Sequence, residues 1–284
     1  MSKLRGKIPT PDEKRLKLLL YGPAGSGKTT ASINFPRPYV IDTEAGCQND
    51  QYVRKVEDRG GAIFSTIEFD DIMSEVMALT EEEHPYKTLV IDPISTVYKV
   101  LVDRMEMKVG DEYGKHYGAA NKKFEQLSAA LVRLDMNVIC TCHAKNQYGT
   151  GMSLIANTFD GPKKFDYLFD MVMEIQVRGE QRFAMPIKSR VETIKQNVGF
   201  EFSYESFAEA YGRDVLERDV KPVALVNAER LAVWEGLLAK LKDRGPLFRE
   251  KIMTKFKVGD LSEASADVAE RSIEKLQAIL ESEK

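Results

Sequence analysis

An α/β fold with a mainly parallel central sheet flanked by helices is what this 284-residue sequence predicts. Three observations predict it. Apolar segments of strand length alternate with helical patterns from residue 16 to about 145, the rhythm of βαβ units. One strand-to-helix junction carries a glycine-rich loop, Gly22-Pro23-Ala24-Gly25-Ser26-Gly27-Lys28-Thr29-Thr30. Past residue 165 two strand patterns follow one another with no helix between them, which predicts an antiparallel hairpin at the sheet edge.

The elements follow in order. Leu16–Tyr21 is an apolar run ending at the glycine-rich loop, and the short helix behind it stops by Pro36. Tyr39–Asp42 is a second strand, followed by a polar helix around Gln48–Asp58. Ala62–Thr66 is a weak third strand, and the spacing of Ile72, Val76 and Leu79 marks a helix. Thr88–Asp92 (TLVID) reads as a buried strand leading into a helix through Val97, Leu101 and Met105. A helix from about Ala119 to Asp135 precedes the strand Asn137–Cys142. Residues 144–165 show no sustained period and hold three glycines and a proline, so they read as a long loop. The hairpin strands are Tyr167–Val177 and Arg182–Lys188. From about residue 222 the pattern turns helical. Trp234, Leu237, Leu238 and Leu241 line one helix face, and Ala269, Ile273, Leu276 and Leu280 line a later one. Both stripes read as core. The division is a basic tail at 1–15, a main domain at 16–220 and a small helical domain at 221–284.

Composition narrows the class. Hydrophobic residues make up 43% and charged residues 30% of the chain, ordinary proportions for a globular protein. No apolar run approaches the roughly 20 residues that span a bilayer, and the basic start MSKLRGKIPTPDEKR has no apolar h-region. Cys140 and Cys142 alternate on an apolar stretch and, with Cys47, form no disulfide framework. A cytoplasmic protein away from membranes is expected. The net charge of −3 gives no global attraction for nucleic acid, so such binding would need local patches. Residues 1–17 hold six Lys/Arg, and Arg178, Arg182, Lys188 and Arg190 form a second basic stretch.

The loop at 22–29 matches G-x-x-x-x-G-K-[ST] at every fixed position, between a strand and a helix as the motif requires. Its glycines let successive backbone N–H groups converge on a phosphate chain. Lys28 would reach the β- and γ-phosphates of ATP, and the Thr29 hydroxyl would hold Mg²⁺. A second ligand to the Mg²⁺ shell should close a buried strand, and Asp92 has that context. Hydrolysis also needs a carboxylate to polarise water. Residue 93 is a proline, so this group must come from elsewhere. Glu44, two residues past the end of the strand YVID, is the candidate, with Asp42 as competitor. His143 ends NVICTC at the same edge and could hydrogen-bond the γ-phosphate.

The order of P-loop, YVIDTEAG, TLVIDPIST, NVICTCHAK, a long loop and a strand ending Lys188-Ser189-Arg190 resembles the RecA-like recombinase core over residues 16–195. The DTE motif and compact size resemble the phage-encoded RecA-like ATPases that act as single-strand annealing proteins. The resemblance implies that Glu44 activates water, Asp92 serves the metal and His143 senses the γ-phosphate. It implies that Lys188 and Arg190 reach a neighbouring subunit's ATP. It also implies mobile DNA-binding loops at about 110–118 and 146–165. In the second of these, Tyr148 and Phe159 could stack on bases while Lys145, Lys163 and Lys164 meet phosphates. The chain departs from the family in lacking a bacterial RecA-type N-terminal oligomerisation domain, and in His143 standing where a glutamine is usual. The expectation is a Mg²⁺-dependent ATPase that binds single-stranded DNA and promotes annealing or recombination. It would act as a homo-oligomer with ATP between subunits, alongside single-strand-binding or other recombination proteins. The rivals are a helicase or helicase-loader-type motor, a small-molecule phosphotransferase, and a nucleotide-gated binding module without turnover.

Overall fold

The computed structural model describes residues 14–148, 154–162, 164–223 and 225–282. Its centre is a sheet of β1 (Lys17–Gly22), β2 (Pro38–Asp42), β3 (Ala62–Ser65), β4 (Thr88–Asp92), β5 (Asn137–Tyr148), β7 (Met171–Arg178), β8 (Gln181–Ser189) and β9 (Phe200–Glu201). The strand order is β3-β2-β4-β5-β1-β7-β8-β9, with β6 (Leu154–Phe159) paired to β5. Strands β1 to β5 and β7 run parallel, while β8 and β9 close the edge antiparallel. The expected α/β architecture is therefore present, antiparallel edge hairpin included. Fully buried β1 and β4 sit inside the sheet, where both faces are covered and their central residues need no polar alternation.

Helices α3 (Phe69–Glu81), α4 (Ile94–Val109) and α5 (Lys115–Arg133) cover one face. There Phe124, Leu127 and Leu131 of α5 pack with Leu19, Leu89 and Val138 of the strands. Helices α1 (Lys28–Ile33), α2 (Asp50–Asp58), α6 (Tyr204–Tyr211) and α7 (Arg213–Glu217) cover the other. Phe35 and Phe207 fill that side against Leu18, Leu20 and Val90. Each fully buried side chain of this size contributes roughly 1.5–3 kcal/mol of transfer free energy.

A third apolar cluster joins α8 (Ala228–Lys240), α9 (Gly245–Phe256) and α10 (Ala266–Ser282). Trp234, Leu237, Leu238 and Leu241 meet Ala269, Ile273 and Leu276 there, so both stripes are core. Cys47, Cys140 and Cys142 are free and buried. Among the described residues no helix is long and apolar enough to cross a membrane.

Two loop readings change. The 144–165 region is largely a β-hairpin: β5 runs on to Tyr148 and pairs antiparallel with β6, Ala144 opposite Phe159. Ala144, Lys145 and Asn146 are poor strand formers in a mostly polar stretch, so neither propensity nor apolar periodicity reveals that the strand continues there. The 110–118 segment is mostly helical, because α5 begins at Lys115. Tyr98 of α4 meets Asn121 and Phe124 of α5, so the two helices form an antiparallel pair. Since α4 starts just past the carboxyl end of β4, the tip of this pair projects beyond that edge.

Candidate functional site: a P-loop at the carboxyl edge of the sheet

The P-loop leaves the carboxyl end of β1 and enters α1. Gly22, Gly25 and Gly27 all take positive φ, and Gly27, at +92°, precedes the first helical residue. A side chain on Gly22 would strike the carbonyl oxygen of Ile175, so glycine is required for β1 to pass β7 there. The Lys28 ammonium is folded back, donating to the carbonyls of Gly22 and Pro23 at 2.9 Å each. Burial pulls its pKa below the ordinary lysine value, with nearby Asp92 opposing the shift. The Ser26 hydroxyl is fully buried and finds no hydrogen-bond partner among the described residues.

Asp92 closes β4 facing this loop. Its Oδ2 accepts the Thr29 hydroxyl at 2.6 Å, and its Oδ1 accepts the hydroxyl of Thr141. Burial raises the Asp92 pKa, and the two hydroxyl donors only partly offset it. Paired oxygens of a threonine and a carboxylate suit a hard divalent cation. The curled glycines, the retracted Lys28 and the orphaned Ser26 hydroxyl suit a phosphate chain. The residues present thus fit a nucleotide with its metal.

Register sets the remainder. Gly22 pairs with His143 across β1 and β5, and Asp42 pairs with Asp92 across β2 and β4. The two acids at the end of β2 have different tasks. Asp42 is buried, and its carboxylate accepts the backbone N–H groups of Glu44, Gly46 and Cys47 at 3.3, 3.1 and 2.8 Å. Those bonds occupy it as a turn-holding cap. Glu44 is half-exposed instead; Thr96 donates to its Oε1, and His143 Nε2 lies 3.6 Å from its Oε2. Ser95 in turn touches His143 at both Nδ1 and the backbone N–H. Lys28, Thr29, Asp92, Glu44 and His143 are therefore brought to one edge. Thr141, Ser95 and Thr96 were missed in the sequence; Thr141 was findable, because it shares the face of β5 with His143 by alternation.

Other expected site residues lie elsewhere. Lys188 and Arg190 are at the opposite edge of the sheet, because β8 runs antiparallel to β1. Lys188 donates to the Asp166 carbonyl at 2.6 Å and lies over Tyr167, while Arg190, just past the strand, pairs with Asp170 at 3.3 Å. Neither can serve the P-loop of its own subunit. Phe159 is not a free stacking platform, since it packs edge-on to Tyr21 and against Phe165 beside the core. Lys145 pairs with Asp160 at 3.3 Å, Lys164 is exposed, and Tyr148 lies on β5. Lys163 lies outside the described residues.

Sheet order, P-loop and facing carboxylate together define a P-loop NTPase. The chain belongs to the AAA domain family, which it matches over residues 14–201. Among solved structures it is similar to one titled as the crystal structure of the RadB recombinase. That likeness has 19% identity, covers 66% of this chain and 86% of the other, and has a TM-score of 0.44. No curated protein matches the chain.

Proposed function

We propose that this protein is a Mg²⁺-dependent ATPase that binds single-stranded DNA and promotes annealing or homologous recombination. The observation that carries the reading is the continuity of β5. One strand holds Thr141 on Asp92, His143 beside Glu44, and then runs out past the sheet as the arm of the β5–β6 hairpin. A change at the nucleotide thus has a direct mechanical route to a projecting element.

In this reading Lys28 leaves its loop carbonyls for the β- and γ-phosphates, and Thr29 and Asp92 hold the metal, which when bound neutralises phosphate charge. Glu44 accepts a proton from the attacking water, with Thr96 fixing the carboxylate. His143, held by Ser95, meets the γ-phosphate. The basic and aromatic side chains Lys145, Tyr148, Lys163 and Lys164 of the hairpin region supply DNA contacts. Tyr113, fully exposed at the α4–α5 tip, and Tyr117, 52% exposed, add aromatic surface at the same edge. Lys188 and Arg190, unable to act in their own subunit, would complete a neighbour's site in a homo-oligomer. The 16–220 and 221–284 division is supported by the separate apolar cluster of α8–α10.

Phosphate release measured with and without single-stranded oligonucleotide, together with annealing of complementary strands, tests the reading. The expected result is stimulated turnover and faster annealing. Turnover indifferent to DNA, or unwinding of a forked duplex in place of annealing, would reject it.

A further inference from the structure

The β7–β8 hairpin places an arginine against the P-loop. Ala184 of β8 is buried in the cluster beneath α1, and alternation puts Arg182 on the same face, two residues nearer the carboxyl edge. It emerges beside Gly27. A Cβ built on Gly27 would lie 3.0 Å from Arg182 Nε and 3.3 Å from its Cδ, so the side chain lies across that glycine. The only hydrogen bond of the guanidinium among the described residues is a long one, 3.4 Å, to the Glu180 carbonyl of its own turn. Among the described residues no carboxylate pairs with it. Its neighbour Arg178 is engaged differently, donating to Gln176 at 3.0 Å and lying over the Phe183 ring.

Sheet order decides which part of a bound nucleotide Arg182 can meet. Glu44 stands just past β2, and Asp92 and His143 stand on β4 and β5, all on one side of β1. Arg182 stands on β8, across β7 on the other side. The reacting terminal phosphate belongs on the Glu44 side, so the guanidinium faces the part of the phosphate chain nearer the nucleoside. An arginine fork forms charge-assisted, two-point hydrogen bonds to phosphate oxygens that a lysine cannot reproduce.

We propose that Arg182 is a nucleotide-binding residue of this site, a clamp supplied within the same subunit that grips the phosphates shared by ATP and ADP. This rests on the P-loop reading above and adds a residue that the motif does not contain. As a binding group it should act on di- and triphosphate equally, whereas a residue serving the γ-phosphate would discriminate between them.

Calorimetric titration with MgATP and with MgADP tests this on wild type, Arg182→Ala, Arg182→Lys and Lys28→Ala, each checked for native circular dichroism. Loss of one charge-assisted contact corresponds to about a tenfold or larger loss of affinity. Arg182→Ala should weaken ATP and ADP by the same factor, and the loss of kcat/KM should be carried by KM. Arg182→Lys should recover part of the affinity. Unchanged affinities, weakening of ATP alone, or a loss carried by kcat would overturn the clamp. If Lys28→Ala binds ATP like wild type, it is the P-loop reading that fails, whatever Arg182 does.

Discussion

Glu44 and His143 meet at the carboxyl edge of the sheet, Oε2 to Nε2 3.6 Å, although their strands β2 and β5 are separated by β4. Thr96 and Ser95, consecutive on α4, hold one partner each from the gap between those strands. The proposed water-polarising acid and the proposed γ-phosphate contact thus lie side by side, each hydrogen-bonded to one of two consecutive residues of a single helix. Glu44→Gln should retain ATP binding and lower turnover by about 100-fold or more, the range for loss of a general base. His143→Ala should cost less alone and add little on top of Glu44→Gln, because groups acting as a unit are not additive. Steady-state phosphate release beside equilibrium ATP binding checks both; normal turnover by Glu44→Gln removes the residue from the mechanism.

The metal-binding role proposed for Asp92 conflicts with stability. Burial raises its pKa although Thr29 and Thr141 donate to it. A carboxyl whose folded pKa is raised is favoured in the fold when protonated, and its ionisation at neutral pH costs stability. Asp92→Asn should therefore not lower the Tm of the nucleotide-free protein, while removing the Mg²⁺-dependent part of nucleotide binding. In wild type, Mg²⁺-dependent affinity should begin to fall at a higher pH on acidification than an ordinary carboxylate allows. A Tm loss in Asp92→Asn would contradict the burial argument.

The P-loop was legible because its chemistry is local: nine consecutive residues carry the backbone shape and the lysine. Glu44 was legible as the candidate over Asp42 from its place just past β2, but the physical reason was not, since it lies in three backbone N–H groups that turn back onto Asp42. The sequence assigns Lys188 and Arg190 to a neighbouring subunit's ATP, and strand direction, which sends them to the far edge, keeps them from the P-loop of their own chain. The same reversal brings Arg182, near the start of β8, to the P-loop. Counting residues outward from the Gly179-Glu180 turn would have found it. The apolar stripes of α8 and α10 were legible because helical period alone identifies a packed face.

Lys17 supplies a pH test of the fold itself. Its ammonium is buried below the sheet, donating to the carbonyls of Leu134 and Met136 at 2.9 and 3.0 Å, and burial lowers its pKa from 10.5 to about 7. Below about pH 7 both folded and unfolded chains hold the proton, and the fold bears the full cost of the buried charge. Between about 7 and 10.5 the unfolded chain holds one proton more, so stability rises with pH across that window. Urea midpoints at pH 6, 7.5 and 9 should climb in wild type and flatten in Lys17→Met. An equal climb in both proteins would assign the effect to other groups.

Lys188 and Arg190 give a test of subunit sharing. Protein carrying Lys188→Ala and Arg190→Ala keeps its P-loop, and Lys28→Ala keeps the far edge. If the two edges meet in an oligomer, mixing the inactive proteins should restore part of the ATPase rate, since some interfaces then pair intact halves. Demonstrably mixed oligomers without rescue would rule out a shared site.

The proposed DNA contact can be tested by its salt dependence. Tyr113 is fully exposed and held at positive φ (54°), an unfavourable backbone state for a residue with a bulky side chain. Lys115 and Tyr117 follow it on the same tip. An aromatic ring presented to solvent at backbone cost, beside a cation and a second ring, suits base stacking with phosphate pairing. Tyr113→Ala should weaken single-stranded DNA binding by about 1–3 kcal/mol, the range for one lost stacking contact. Lys115→Ala and Lys164→Ala should each weaken binding across sequences and reduce the slope of log affinity against log salt by about 0.7, the value for one phosphate contact on a single strand. ATP affinity in the absence of DNA should not change, because neither the tip nor Lys164 touches the P-loop. Fluorescence anisotropy at several salt concentrations separates the two terms, since stacking shifts affinity without changing the slope. If all three variants bind single strands like wild type, this edge is not the DNA surface, and the link from β5 to a projecting element loses its purpose.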